Sequence, residues 1–448
     1  MDTKHEQIVK HLLREMEEGS IKPGVKLPSI RDVAERFRCS PNTVARAYQT
    51  LERQDLVYSV SKSGYYIVET KATASAVLSP PTFNFASVMP RGDFLPFQDF
   101  EHCLRQAVSL YKEELFGYTD PQGILSLRAE LQRHLNDHQI FANTDQICVV
   151  TGAQQAFAIL TRMPFPVGGG SILIEQPTYF GFMDTANLHG CRIVGLQRDE
   201  DGIDLERLES YFRSGDIKFF YTVPRFLNPL GASYRTEQKK RIVELADKYN
   251  VYIVEDDYLA DLEDDTKSDP LFAMDQNSRV IYIKSFSKTT LPGLRLGVTV
   301  LPKSLVQPFV EYKKASDISS PILSQGALEI YLKCGMFKRH AAKIRSHYRD
   351  KMSYAVEMCG RLLGDRVSWT SPSSGVFITL TLPNRMRASV LIEQLNLRGI
   401  YATNVDQHLL PEFRQDNRIR LCIIGVEKSQ IAAGFALISD EIKRIGRR

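Results

Sequence analysis

The sequence predicts an α/β protein in which a small helical domain precedes a large domain built on a mainly parallel β-sheet. Beyond residue 83, strand-like apolar runs alternate with helical stretches, as they do when helices join parallel strands. The first 70 or so residues instead hold three amphipathic segments with capping residues, followed by a hairpin pattern. Residues 70–83 combine small residues with a Pro pair and show no periodicity, which predicts a linker.

The composition is that of a globular protein, since 43% of the residues are hydrophobic and 25% are charged. No apolar run approaches the roughly 18 residues that a membrane helix needs. The amino terminus is charged where a secretory signal is apolar, so we expect a cytoplasmic protein without a membrane partner. Seven cysteines without a CxxC pair predict reduced thiols, and we expect no metal site.

Strands of the large domain are predicted where short apolar runs are bounded by polar or turn residues. Five such runs are Gln146 to Val150, Ser171 to Glu175, Phe219 to Val223, Val251 to Glu255 and Val280 to Lys284. Their length and β-branched content favour buried strands.

The first domain is predicted to contain three helices. The first runs from about His5 to Glu18, and Ser29 and Ser40 are the expected N-caps of the second and third. Pro41 occupies the favoured first position of the third helix. The very short connection between the last two helices predicts a helix-turn-helix, and the two strand-like runs beyond it predict a hairpin, or wing.

Positive charge is concentrated in this domain. Residues 21–64 carry eight Lys or Arg residues and four acidic residues, whereas the first helix is acidic. A turn, third helix and wing with this charge are suited to contact phosphates. A small helical oligomerisation domain with solvated charges explains the same pattern, and the charge count alone does not separate the two.

Two stretches carry a family resemblance: IKPGVKLPSIRDVAERF from Ile21 and SPNTVARAYQTLE from Ser40. Over residues 1–69 the chain resembles the winged-helix domain of GntR-type regulators, which implies double-stranded DNA as a partner. The resemblance implies phosphate contacts from Ser29 and Arg31 and a wing tip at Lys62 to Tyr65, including Gly64, near the minor groove. It places four residues at the start of the recognition helix: Ser40, Asn42, Thr43 and Arg46. Pro41 stands where many relatives have Arg, so operator preference is not transferred.

The most informative motif of the large domain is SFSKTTLPGLRLG, from Ser285 to Gly297. It follows a predicted strand and places Lys288 among hydroxyl groups, with Arg295 seven residues later. A lysine forms a Schiff base only when its amine is unprotonated, which requires burial or nearby positive charge. Hydroxyls, backbone N–H groups and a guanidinium are suited to bind a cofactor phosphate.

From about Phe83 onward the chain resembles the fold-type I pyridoxal-phosphate family, in its aspartate-aminotransferase subgroup. That resemblance implies a large α/β domain with a mainly parallel sheet, a smaller C-terminal α/β subdomain, and pyridoxal 5'-phosphate as cofactor. Lys288 matches the lysine of the internal aldimine, and Ser285, Ser287 and Arg295 match phosphate ligands. In the segment TGAQQ, Ala153 and Gln154 match a phosphate-binding helix start.

Four further positions follow the family order. Tyr179 matches the aromatic ring that stacks on the pyridine, and Asn228, in the turn NPLG, matches the donor to the phenolic oxygen. Asp256 is chosen as the carboxylate beside the pyridine nitrogen, with Asp257 as the rival. Tyr258 matches the tyrosine near the phenolic oxygen.

Two positions bear on ligand and partner. In the strand RIRLCII, register favours Arg420 over Arg418 as the carboxylate-binding arginine, which implies an amino-acid-like effector. Tyr118, in GYTDPQG, matches the tyrosine that reaches the partner subunit's phosphate, which implies a homodimer with shared sites.

Together the two resemblances match the MocR-type transcriptional regulators, with a DNA-binding domain at 1–69, a linker at 70–83 and an effector domain at 84–448. They imply a regulator that senses pyridoxal phosphate, an amino-acid-like amine, or both, through aldimine chemistry at Lys288. The alternatives are a working aminotransferase with an appended DNA-binding module, and a DNA-bound scaffold whose second domain carries no cofactor. The segment PSSGVF at 372–377, where common enzymes have ProGlyGly, favours the regulator.

Overall fold

The computed structural model divides the chain into two units, Met1–Pro81 and Thr82–Arg448. The predicted linker lies outside the described residues except for Phe83, which begins a strand. The structure describes residues 3–17, 21, 24–54, 56–60, 63–68, 83–265, 268–289, 292–383 and 386–446.

The first unit is a three-helix domain with an antiparallel hairpin. Its elements are α1 (Lys4–Glu17), α2 (Ile30–Arg36), α3 (Pro41–Arg53), β1 (Val57–Val60) and β2 (Gly64–Ile67). Both predicted caps form, because the Ser29 hydroxyl accepts from the Asp32 N–H and the Ser40 hydroxyl accepts from the Thr43 N–H. The expected helix-turn-helix and wing are therefore confirmed.

A single apolar core holds this unit together. Ile8 of α1, Val44 and Leu51 of α3 and Val57 of β1 are all at most 2% exposed. The buried Tyr48 donates its hydroxyl to the Pro28 carbonyl at 2.7 Å. The inward faces of the helices and hairpin thus leave the polar start of α3 outside the core.

The second unit is built on a seven-stranded sheet. In chain order its strands are β4 (Ile147–Val150), β5 (Ser171–Gln176), β6 (Arg192–Gln197), β7 (Ile217–Thr222), β8 (Tyr252–Asp256), β9 (Val280–Ser285) and β10 (Gly297–Val300). Their order across the sheet is β4-β10-β9-β8-β7-β5-β6, and only β10 runs antiparallel to its neighbours. The predicted mainly parallel sheet is confirmed.

Helices cover both faces of this sheet, as its continuously apolar strands require. They are α4 (Phe97–Tyr111), α5 (Leu125–Asn136), α6 (Ala153–Arg162), α7 (Phe180–Leu188), α8 (Leu205–Arg213), α9 (Thr236–Lys248), α10 (Leu271–Met274), α11 (Lys303–Asp317) and α12 (Ile322–Lys333). The carboxyl ends of the parallel strands share one edge, where loops from several strands converge.

A smaller α/β subdomain follows at the carboxyl terminus, as expected from the resemblance. Its sheet has the order β11-β12-β15-β14, and a two-residue pairing of β13 with β3 lies beside it. The elements are α13 (Met336–Leu362), β11 (Ser368–Trp369), β12 (Phe377–Thr381), α14 (Ala388–Leu397), β13 (Ile400–Tyr401), β14 (Thr403–Asn404), β15 (Arg418–Cys422) and α15 (Lys428–Ile445), together with β3 (Phe83–Asn84). None of the helices that the structure describes has the length and hydropathy needed to cross a membrane.

Candidate functional sites

One cavity at the carboxyl edge of the large sheet brings together the residues expected to hold the cofactor. All of them except Tyr118 line it, and apolar side chains complete its wall. The predicted residues in the lining are Ala153, Gln154, Tyr179, Asn228, Asp256, Tyr258, Ser285, Ser287, Lys288 and Arg295. They come from loops after β4, β5, β7, β8 and β9, so the strand topology explains why they meet.

Lys288 lies three residues beyond β9 and points its amine into the cavity lining. Its Nζ donates to the Val88 carbonyl at 2.9 Å. Burial lowers the pKa of Lys288 below its usual value, and the positive charges of Arg420 and Arg295 act in the same direction. The amine is thereby shifted toward its unprotonated, nucleophilic form.

Asp256 ends β8 and is buried with an unsatisfied oxygen. The Tyr221 hydroxyl donates to its Oδ2 at 2.8 Å, whereas its Oδ1 has no hydrogen-bond partner among the described residues. Burial raises the pKa of Asp256 to about 7. A pyridinium N–H fits this position, because it supplies the missing donor and a positive charge that holds the carboxylate ionised.

Asp257, the rival carboxylate, is already neutralised by the protein. Arg225 Nε donates to its Oδ1 at 2.9 Å, Arg225 Nη2 donates to Oδ2, and the Tyr282 hydroxyl donates to Oδ2 at 2.9 Å. Burial acts to raise the pKa of Asp257, but the adjacent guanidinium lowers it below the usual value. The geometry therefore favours Asp256 as the group that faces a ligand.

The part of the cavity lining at the start of α6 has the features of a phosphate-binding site. Helix α6 begins at Ala153, directly after Gly152, whose φ is 75°. A Cβ atom at Gly152 would lie 2.7 Å from Arg295 Nη2, so only glycine lets the guanidinium approach the start of the helix this closely. Ser285 and Ser287 line the same cavity. A positive helix terminus, a guanidinium and two hydroxyls fit a phosphate group.

Tyr179, Tyr258 and Asn228 differ in the hydrogen bonds that their polar atoms already make within the protein. Tyr179 accepts at its hydroxyl from Gln154 Nε2 at 3.1 Å. The Tyr258 hydroxyl donates to the Phe226 carbonyl at 2.7 Å, so its proton is already committed within the protein. Asn228 Oδ1 accepts from Arg420 Nη1 at 3.2 Å, which ties the amide to the predicted carboxylate site.

Arg420 is a buried cation held by neutral groups. It is 3% exposed, and its Nη2 donates to the Ala86 carbonyl at 2.7 Å and to Thr403 Oγ1 at 2.8 Å. Its Nε has no hydrogen-bond partner, and no carboxylate pairs with it, among the residues that the structure describes. A ligand carboxylate suits such a guanidinium. Arg418, the alternative, is less buried and lies near Asp406.

Tyr118 does not reach the cavity. It is 82% exposed, and Phe116 beside it is 93% exposed. The expectation that Tyr118 completes the site of a second subunit therefore concerns an assembly larger than one chain.

The residues expected to contact DNA lie on the first unit, mostly in exposed positions. Arg31, Asn42 and Arg46 are exposed, and Thr43 is half-buried at the start of α3. Ser29 and Ser40 are exposed but use their hydroxyls as helix caps. Gly64 opens β2 with a φ of 125°, which a wing turn of this shape requires, and Lys62 lies outside the described residues.

Two groups of functional interest carry no sequence motif. Tyr221, the donor to Asp256, reads as an ordinary apolar strand residue in sequence. The carbonyls of Ala86 and Val88, which hold Arg420 and Lys288, belong to the backbone and leave no residue signature.

A histidine pair also approaches a buried carboxylate away from the cavity. His138 Nε2 and His134 Nε2 lie 3.2 Å and 3.8 Å from Asp261 Oδ1. The Lys284 ammonium lies 2.8 Å from the same oxygen, so the protein's own cation neutralises it. This cluster was not expected from the sequence, and the ion pair accounts for its charge.

Comparisons with known proteins agree with both units. Residues 4–67 match the family of bacterial regulatory proteins, gntR family, and residues 90–435 match aminotransferase class I and II. Over 443 residues the chain is 41% identical to the uncharacterized HTH-type transcriptional regulator YcxD of Bacillus subtilis, covering 98% of this chain and 100% of that protein. It is 27% identical over 427 residues to the probable rhizopine catabolism regulatory protein MocR of Rhizobium meliloti, covering 88% and 85%.

Solved structures resemble the second unit. The kynurenine aminotransferase of Pyrococcus horikoshii gives a TM-score of 0.76 at 25% identity, covering 81% of this chain and 91% of that one. The α-aminoadipate aminotransferase of Thermus thermophilus, complexed with N-(5'-phosphopyridoxyl)-L-leucine, gives 0.75 at 24% identity, covering 82% and 93%. Fold and cavity thus define a pyridoxal-phosphate domain of the aminotransferase class I and II fold, joined to a GntR-type winged helix. The chain belongs to the MocR-type HTH transcriptional regulators.

Proposed function

We propose that the protein regulates transcription in the cytoplasm by binding double-stranded DNA through its first unit and sensing pyridoxal phosphate, with or without a carboxylated amine, through its second. One observation carries the proposal: the amine of Lys288 lines the cavity, and the buried guanidinium of Arg420, which pairs with no carboxylate among the described residues, donates to Asn228 in the same lining. Pyridoxal phosphate, when bound, offers an aldehyde that condenses with primary amines.

Different residues of the site bind different parts of the cofactor and the ligand. Lys288 supplies the nucleophilic amine, and Asp256 holds a proton at the pyridine nitrogen. Arg420 orients a ligand by its carboxylate, which favours an amino acid or a similar amine over a simple amine. The phosphate is held by Arg295 and the start of α6, with Ser285 and Ser287 beside them.

DNA binding is assigned to the exposed polar start of α3 and to the residues around it. Arg31 and Ser29 are placed at phosphates, and Ser40, Asn42, Thr43 and Arg46 face the major groove, with the wing at Lys62 and Gly64 near the minor groove. The supporting observation is that Asn42 and Arg46 are exposed on a helix whose other face is buried.

We place the protein in a homodimer in which Tyr118 contacts the partner's cofactor phosphate. The part of the chain that contains Tyr118 exposes several large apolar side chains: Phe97 is 66% exposed, Leu110 60%, Phe116 93% and Leu125 62%. Apolar exposure on this scale is typical of a surface that a second protein covers. Light scattering of the purified protein measures the assembly directly, and a monomer at micromolar concentration would refute this part.

Aminotransferase activity is the second candidate function. It is favoured by the fact that Lys288 and Asp256 line one cavity and that Arg420 donates to Asn228, which belongs to the same lining. Steady-state transamination with a panel of amino acids separates the two functions. Sustained turnover at rates typical of enzymes, on the order of 1 per second or faster, would establish the enzyme. Binding without turnover supports the sensor.

The proposal is tested by Lys288→Ala, with the exposed Lys240→Ala of α9 as matched control. We expect the control and the natural protein to acquire visible absorbance with pyridoxal phosphate and a covalent mass increase after borohydride reduction. Lys288→Ala loses both while keeping its oligomeric state. A Lys288→Ala protein that still gains the reduced mass adduct would show that another amine binds the aldehyde.

A further inference from the structure

We propose that residues 85–91, here called the strap, compete with the ligand for the two groups that bind it. In this arrangement the strap carbonyls hold Lys288 and Arg420, and a ligand group that engages either residue releases the strap carbonyl bonded to it. The inference rests on the proposed function and adds a mode of regulation to the same site.

The contacts that carry the proposal are two hydrogen bonds to carbonyls two residues apart. Arg420 Nη2 donates to the Ala86 carbonyl at 2.7 Å, and Lys288 Nζ donates to the Val88 carbonyl at 2.9 Å. The strap therefore presents one oxygen to the guanidinium that suits a carboxylate and another to the amine that suits an aldehyde. Val88 also lines the cavity itself.

The strap is anchored independently at both ends. At one end the Phe85 N–H donates to the Tyr401 carbonyl and the Cys422 N–H donates to the Phe85 carbonyl, at 2.9 Å and 2.8 Å. At the other end Arg91 lies 2.7 Å from Glu427. Between these anchors the hydrogen bonds to Arg420 and Lys288 are the ones that the structure describes from the strap to the rest of the second unit.

The turn at the start of the strap is held by the side chain of Asn84, and Ser87 Oγ accepts from the Met89 N–H at 3.2 Å further along. Asn84 Oδ1 accepts from the N–H groups of Ala86 and Ser87, at 3.2 Å and 3.0 Å. Asn84 is exposed and makes no described contact with Lys288 or Arg420. It therefore stabilises the strap conformation without belonging to the ligand-binding groups.

The competition involves two separate contacts, because the Lys288 amine suits an aldehyde whereas the Arg420 guanidinium suits a carboxylate. If the Lys288 amine condensed with a cofactor aldehyde, with loss of water, it would no longer be available to donate to the Val88 carbonyl. If Arg420 bound a ligand carboxylate, its N–H groups would turn from the Ala86 carbonyl to that carboxylate. Pyridoxal phosphate alone would thus loosen the Val88 contact. A carboxylated amine that takes the place of Lys288 on the aldehyde would free the Lys288 amine again, so the contact for which its carboxylate competes is the one between Arg420 and Ala86.

The first test is hydrogen–deuterium exchange of the full-length protein with three probes: pyridoxal phosphate, pyridoxamine phosphate and N-(5'-phosphopyridoxyl)-L-leucine. The last carries both the cofactor and a carboxylate, and pyridoxamine phosphate is its match without the carboxylate. We expect amides of residues 84–91 to exchange several-fold faster with the leucine adduct than with pyridoxamine phosphate. Protection of residues 285–289 reports binding separately.

The outcomes distinguish failure of the strap proposal from failure of the proposed function on which it rests. Protection at 285–289 without faster exchange at 84–91 would overturn the strap proposal and leave the sensor function standing. Failure of all three probes to bind would overturn the proposed function itself.

The second test is Asn84→Ala, with the exposed Asn396→Ala of α14 as matched control. Loss of two acceptor contacts destabilises the competing strap conformation, so we expect Asn84→Ala to bind the leucine adduct about three- to tenfold more tightly. Equal affinity of the two variants, or weaker binding by a folded Asn84→Ala protein, would contradict the proposal.

Discussion

Asp256 and Asp257 show how far the pKa values of two adjacent buried aspartates can differ. Burial raises the pKa of Asp256 to about 7, while the guanidinium of Arg225 keeps the pKa of the equally buried Asp257 below its usual value. The difference arises from partners contributed by other strands and loops, since Tyr221 serves one acid and Arg225 and Tyr282 the other. A carboxyl without a counter-charge is thus the one left for a ligand.

This difference predicts a pH dependence of stability in the cofactor-free protein. The folded state holds a proton on Asp256 up to about pH 7, whereas the unfolded chain releases it near its usual pKa of 3.8. The contribution of Asp256 to the free energy of unfolding is therefore present at low pH and is lost as pH rises between these values. Buried histidines such as His408, whose pKa burial lowers to about 3, act in the opposite direction.

Comparison of variants isolates the contribution of Asp256. We expect Asp256→Asn to gain stability relative to the natural protein on going from pH 5 to pH 8 in thermal unfolding, because the amide does not ionise. The exposed Asp184→Asn of α7 is the control and keeps the natural profile. Parallel profiles for Asp256→Asn and the natural protein would mean that Asp256 is ionised throughout this range.

Arg420 and Arg418 provide a second comparison at the same scale, because they lie two residues apart on β15. We expect Arg420→Ala to weaken binding of N-(5'-phosphopyridoxyl)-L-leucine about tenfold or more, since a charge-assisted contact is lost. Binding of pyridoxal phosphate alone should change much less. Arg418→Ala is the control, and calorimetric titration measures all four affinities. An equal loss for both ligands in Arg420→Ala would show that the carboxylate is bound elsewhere.

At the scale of elements, the junction of β4 and α6 depends on one glycine. Gly152 has a φ of 75° and gives Arg295 access to the helix start, whereas Gly190, with a φ of 68°, has open space around its Cα. Replacing either with alanine places a side chain in a conformation that costs about 1 to 2 kcal/mol. Only at Gly152 does the new Cβ also displace the guanidinium.

We therefore expect Gly152→Ala and Gly190→Ala to lose similar stability but to differ in cofactor affinity. Gly152→Ala should bind pyridoxal phosphate at least about tenfold more weakly, because it loses a charge-assisted contact to the phosphate. Absorbance titration and thermal unfolding of both variants provide the measurements. Unchanged affinity in Gly152→Ala would exclude Arg295 and the α6 terminus as the phosphate site.

Elements were predicted best where local chemistry determines them. The caps at Ser29 and Ser40 form as expected because a serine before an amphipathic run satisfies free N–H groups without tertiary help. The strand expected at Phe219 to Val223 instead spans Ile217–Thr222, since Ile217 pairs with β5 at its start. Pairing of this kind depends on a distant partner, which a local window does not contain.

At the scale of the whole molecule, the GntR-type winged helix and the aminotransferase-like domain form separate units. Replacing Arg46 should weaken binding to a selected duplex and reduce the slope of log affinity against log salt by about one if Arg46 meets a phosphate. Arg105→Ala, an exposed arginine of α4 in the other unit, is the control. An Arg46→Ala protein with natural affinity at every salt concentration would remove α3 from the interface.

The cavity could be assembled from sequence because its side chains lie in short motifs that follow strands in family order. What could not be foreseen depends on the folded backbone. The carbonyls of Ala86 and Val88 have no side-chain signature, and Lys284, His134 and His138 meet Asp261 only when the sheet and α5 pack together. Backbone acceptors and charge clusters assembled over long separations in sequence require three-dimensional information.

The back-to-back arrangement of Asp256 and Asp257 makes the site sensitive to chain length. A one-residue insertion or deletion within β8 rotates every following side chain to the opposite side of the sheet. A deletion would bring Asp257, the acid that pairs with Arg225, to the position that faces the ligand, and an insertion would bring Glu255 there. Among relatives, the strand and the two residues that follow it should therefore keep their residue count.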